Sequence, residues 1–141
     1  MKNKWMGKYL ALLLACFPVS LPAEEPDCEK AMTTLDINYC AGLEQEAAEQ
    51  EMQRYLEKSL EHNSEDAELV AAIKQAQEAW QAYANAHCDS IYTMWREGTI
   101  RGVLSISCKT KLIRKRTHEL WSDFLTYMDS TEPVLPEPVR E

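Results

Sequence analysis

Apolar residues recur every three or four positions through most of the chain, and three stretches carry the pattern far enough to predict long helices. In residues 34–61 the stripe is Leu35, Tyr39, Leu43, Ala47, Met52, Leu56 and Leu60, set among strong helix formers, with Gly42 as the one glycine. Thr33 or Thr34 can cap its start, and Asp36 places an acid near the positive end of the helix dipole. The polar run 62–66 breaks the register, with Ser64 expected to cap a second helix over 65–96. Its stripe is Leu69, Ile73, Ala76, Trp80, Tyr83, His87, Ile91 and Met94. Gly98 and Gly102 bracket a turn at 97–102. A third helix is expected over 103–127, with Leu104, Cys108, Leu112, Arg116, Leu120, Phe124 and Met128 in register. Residues 99–107 are the single candidate for a local strand. The expected fold is therefore all-α, an up-down-up bundle of about three helices. Pro133, Pro136 and Pro138 then mark residues 129–141 as a flexible Pro-rich tail.

The N-terminus follows another logic. Lys2, Lys4 and Lys8 precede a short apolar run over 9–17, and Pro22-Ala23 offers a small-residue exit. That order predicts a secretory signal peptide over 1–23, cleaved after Ala23, because the run falls short of the ~20 residues a spanning helix needs. A competing reading takes Leu13-Leu14-Ala15-Cys16 as a lipobox, with Cys16 lipidated; only this route would tie the chain to a membrane. Both readings place the chain in the periplasm or outside the cell. The helical domain is then 24–128 and the tail 129–141.

Charge is unevenly distributed. Residues 24–78 carry a net −11, residues 79–128 a net +3, and the tail −3. An acidic half argues against nucleic acid and anionic membrane as partners, and it suits a cationic protein partner or a solvated face equally well.

Setting Cys16 aside leaves Cys28, Cys40, Cys88 and Cys108, an even set that reads as a disulfide framework in an exported chain. Antiparallel folding about residue 63 sets Cys88 opposite position 38, near Cys40, and the next turn brings Cys108 opposite Cys88. Cys28 approaches the same end, so all three pairings stay open. His62, His87 and His118 lack paired metal-ligand spacing, and the cysteines lack a zinc-knuckle interval. His87 adjoins Cys88, but helical neighbours point about 100° apart, which disfavours a Cys-His nucleophile. No phosphate loop, nucleophile elbow or His-Glu-x-x-His occurs. The sequence therefore offers no argument for an enzyme, a metal or a cofactor.

The order of motifs carries a resemblance. Cys28-x2-Ala31…Cys40 leads to Ile73-x2-Ala76-Gln77-x-Ala79-Trp80-x2-Tyr83, then Cys88 and Gly98-Thr99. The series closes with Cys108-x3-Leu112-x3-Arg116-Thr117-x2-Leu120. Over residues 28–120 this resembles the LprI-like lysozyme-inhibitor domain, a family of small exported bacterial proteins. The chain departs from the family pattern at Glu49, Met52-Gln53, Leu56, Ala84 and Ile113, and keeps Arg116, expected to make a structural ion pair or cap. The resemblance implies a protein partner, lysozyme, that the chain binds and inhibits. The acidic half fits, since common animal lysozymes are cationic and complementary charge speeds encounter. Blocking a catalytic cleft needs a protrusion, and segment 97–102 with its flank is the candidate, with Arg96, Glu97 and Arg101 as partner-binding residues. The alternative is a periplasmic interaction or envelope-stress module that inhibits nothing.

Overall fold

A computed structural model describes residues 25–139. The expected signal peptide and the lipidation alternative at Cys16 fall outside the described residues. Three α-helices follow a short 3-10 turn at Cys28–Lys30: α1 (Thr34–His62), α2 (Ala67–Met94) and α3 (Arg101–Phe124). No strand occurs among the described residues, and 99–107 is largely taken into α3. Thr33 caps α1, its Oγ1 accepting from the Asp36 amide at 3.1 Å. Asp66 rather than Ser64 caps α2, accepting from the Leu69 amide at 2.9 Å. The Asp66 carboxylate satisfies the orphan Leu69 amide from a cap position two residues on, so α2 starts later than expected.

The bundle is not three helices in mutual contact. α3 packs along both α1 and α2, whereas α1 and α2 make almost no close backbone approach to each other. α3 occupies the middle because it offers a broad buried face: Ser105, Thr110, Ile113, Arg116, Thr117 and Leu120. On the α2 side, small residues allow close approach, and Ser105 Oγ donates to the Cys88 carbonyl at 3.2 Å. On the α1 side, Gly102 lies against Asn38, where an added Cβ would come within 2.9 Å of Asn38 Oδ1. At the far end, the Asn63 side-chain amide donates to the Ser59 carbonyl at 2.8 Å and reaches the Phe124 carbonyl at 3.5 Å. α1 and α3 thus run parallel, as up-down-up order requires.

The central position of α3 corrects the expected core. α1 buries Ala48, Met52, Tyr55 and Ser59. Leu35, Tyr39 and Leu43 stay 82%, 36% and 44% exposed. Ala47 and Met52 are five residues apart, about 140° around a helix, so the expected stripe changes face between them, whereas Ala48, Met52, Tyr55 and Ser59 keep to one face. The neighbour decides, and α2 does not lie along the early turns of α1. In α2 the expected stripe is similarly split: Ile73 is buried, Trp80 and Ile91 are half-buried, and Tyr83, His87 and Met94 are exposed.

The cysteines pair in sequence order, Cys28–Cys40 and Cys88–Cys108. The first ties the 3-10 turn to α1, and the second ties α2 to α3. Arg116 makes the expected structural contacts, donating from Nε to Gln77 Oε1 at 3.0 Å and pairing through Nη1 with Glu119 at 3.3 Å.

The Pro-rich segment has no helix, as expected of that composition, but residues 134–138 are docked rather than free. The Val134 amide donates to the Leu125 carbonyl at 2.8 Å, Trp121 Nε1 donates to the Leu135 carbonyl at 2.9 Å, and Tyr55 Oη donates to the Pro136 carbonyl at 2.7 Å. Val134 and Leu135 pack on the core formed by Met52, Tyr55, Ile113, Leu120 and Leu125, and Pro138 is buried. Buried Tyr55 and half-buried Trp121 carry polar tips that need acceptors, and an extended strap with free carbonyls provides them. Burial pushes the Tyr55 phenol above its ordinary range, with Arg54 opposing more weakly.

Candidate protein-binding site

The α2–α3 turn brings Arg96, Glu97 and Arg101 together. α2 ends at Met94, where the Trp95 amide still reaches the Ile91 carbonyl at 3.2 Å and the Arg96 amide reaches Thr93 at 3.2 Å. Arg101, the first residue of α3, folds back: its Nη1 donates to the Arg96 carbonyl at 2.8 Å, and its guanidinium lies 5.1 Å from the centre of the Tyr92 ring. A cation bonded to a turn carbonyl and stacked on an aromatic face is held in place. Arg101 is therefore a clamp on the turn. Arg96 and Glu97 project outward, with side chains 67% and 94% exposed and a loose pair at 3.6 Å. Beside them opens a cleft of about 490 Å³ that also takes in Thr34 and Asn38 at the start of α1. The Asn38 Oδ1 in its wall is buried without a hydrogen-bond partner among the described residues.

Sequence reasoning did not anticipate a second cleft, of about 550 Å³, between α1 and α2. It exists because the two helices diverge across α3. Met52 and Ile113 are its buried apolar lining, Trp80 contributes from α2, and Glu49, Gln53, Arg54 and Glu57 contribute from α1. Trp80 was legible in the sequence as a core aromatic, but its half-exposure follows from the divergence. Early α1 also exposes the side chains of Leu35, Tyr39 and Leu43, and Met32 just before it is exposed as well.

All four cysteines of the described residues are bonded in disulfides. Tyr83 and His87 stack at 5.6 Å on the surface of α2, and His118 meets Glu137 of the strap at 3.3 Å. Among the described residues no three His, Cys, Asp or Glu side chains converge as a metal site, and no helix is long and apolar enough to cross a membrane.

The family described as Lysozyme inhibitor LprI matches residues 27–120, from just before Cys28 through Leu120. A relative in Rhizobium meliloti (strain 1021), itself an uncharacterized protein, is 34% identical over 123 residues, covering 79% of this chain and 88% of its own length. No solved structure matches. The matched span takes in both disulfides, the Trp80 segment and the α2–α3 turn, and the chain belongs to the LprI lysozyme inhibitor family.

Proposed function

We propose that this protein acts outside the cytoplasm as a stoichiometric inhibitor of a cationic lysozyme-type cell-wall hydrolase. The observation that carries the reading is the family match over residues 27–120, since that family is one of inhibitors rather than enzymes. Two disulfides favour an oxidising compartment, in keeping with export. The net −11 of residues 24–78 favours a cationic partner by steering encounter. Charge brings the partners together without blocking anything. The blocking element in this proposal is the α2–α3 turn: Arg96 meets the partner's catalytic carboxylates, Glu97 meets a cation on its rim, and Arg101 holds the turn in shape.

Residual muramidase activity of a cationic lysozyme, measured against increasing amounts of the oxidised protein, tests the reading. Saturable loss near one-to-one stoichiometry is the expected result. Full activity at large excess, across several lysozyme types, would leave a binding module without inhibitory action. Arg96→Ala with Arg101→Ala should weaken inhibition at least tenfold, and unchanged inhibition would remove the turn from the mechanism.

A further inference from the structure

The cleft between α1 and α2 combines an apolar lining with carboxylates that lack a cation. Glu49 accepts from the Gln45 side-chain amide at 2.7 Å, and Glu57 accepts from the Gln53 amide at 2.9 Å. Neither is paired with Lys or Arg among the described residues, although most other ion pairs on α1 are local and satisfied. The one basic residue in the lining, Arg54, is engaged elsewhere, 3.8 Å from Glu51 and 5.2 Å from the centre of the Tyr55 ring. Between the two carboxylates lie buried Met52 and Ile113, with half-buried Trp80 across the cleft.

From this we infer that the α1–α2 cleft is a docking groove for a lysine- or arginine-bearing segment of a basic protein partner, separate from the α2–α3 turn. For the sign of the partner's charge, the inference rests on the inhibitor reading above; for the place, it rests on the cleft. The aliphatic stem of a basic side chain lies on Met52 and Ile113, where it buries apolar area while its head remains polar. The Trp80 ring attracts the cation through its face. Glu49 and Glu57, two turns apart on α1, rise about 12 Å along the helix. A partner helix spans that interval with basic residues seven or eight apart, and an extended segment does so with residues four apart, at about 3.3 Å per residue. An uncharged apolar segment would leave both carboxylates partly desolvated without compensation, so the groove discriminates by charge as well as by shape.

The three indoles of the described residues report on three places: Trp80 in this cleft, Trp95 in the α2–α3 turn, and Trp121 beneath the C-terminal strap. Oxidised protein labelled at nitrogen and at methyl carbons is titrated with a short extended peptide carrying two lysines four residues apart, and with its neutral glutamine counterpart. The lysine peptide should shift the Trp80 indole resonance and the Met52 and Ile113 methyls, and the neutral peptide should not. Affinity should fall as salt rises, and Glu49→Gln with Glu57→Gln should lower it about three- to tenfold, the range for two partly exposed charge contacts. Shifts confined to Trp95 or Trp121, equal binding of the neutral peptide, or indifference to the double substitution would each overturn the inference. The muramidase assay separates the two readings. Mapping to Trp80 beside undiminished lysozyme activity sinks inhibition and keeps the groove. Inhibition untouched by the double substitution, with no effect on peptide binding, sinks the groove and keeps inhibition.

Discussion

Replacing Cys88 and Cys108 together by alanine should separate what α2 owes to packing from what it owes to its bridge. The two half-cystines are 20 residues apart, and the chain-entropy relation assigns a loop of that size about 3.3 kcal/mol at room temperature. The same relation gives about 2.8 kcal/mol for the 12-residue interval of Cys28–Cys40. The structure widens that small difference. The first bridge holds a 3-10 turn that buries no residue, so without it residues 25–33 fray and regain entropy in the folded state. The second holds α2, whose contact with the bundle runs almost wholly through α3, and Cys88 itself is fully buried. The Cys88→Ala, Cys108→Ala protein should therefore lose about 3–4 kcal/mol in urea unfolding, and at least about 12 °C in Tm. Loss of Cys28–Cys40 should cost clearly less. Hydrogen exchange should show α2 amides losing protection first, with α1 and α3 holding longer. Equal costs for the two bridges, or simultaneous loss of protection in all three helices, would refute the view that α2 is held by one neighbour and one staple.

Two further predictions concern the core and the strap. Leu120→Ala, at a fully buried site facing α1, should cost about 2–5 kcal/mol, whereas Leu35→Ala, 82% exposed, should fall within about 0.5 kcal/mol of the parent by chemical denaturation. Tyr55→Phe removes the hydroxyl that donates to the Pro136 carbonyl, which should cost about 1 kcal/mol and speed proteolysis of residues 129–139. The Tyr55 pKa is raised by burial, so its contribution is complete below the ordinary tyrosine pKa of about 10 and is lost as pH rises through the higher folded value. Strap docking monitored by limited proteolysis should weaken in that alkaline window in the parent, and Tyr55→Phe should remove this dependence.

The helices were legible because helix signals are local. Thr33, the break at 62–66 and the two glycines of the α2–α3 turn mark boundaries through backbone chemistry that needs no neighbour. The Cys and Trp80 spacings carried the family for the same reason. The proposed partner-binding turn was half legible: Arg96, Glu97 and Arg101 do lie together there, but only the contacts of Arg101 with the Arg96 carbonyl and Tyr92 distinguish a clamp from an exposed residue. The α1–α2 cleft was not legible at all, because it is made by the lack of close backbone approach between two helices that a sequence-based hairpin places side by side.

The chain's own sequence determined that it forms three helices, that four cysteines staple them, and which family they belong to. The tertiary structure alone decided that α3 stands between α1 and α2, that Cys88 pairs with Cys108, and that Val134 to Pro138 close over Tyr55 and Trp121. The physical reason is one of range. A period of 3.6 residues fixes where apolar stripes run on a helix, but α1 carries apolar residues on more than one face, Leu35 and Leu43 on one and Met52 and Tyr55 on another, and burial of either requires a neighbour whose position depends on contacts distant in sequence.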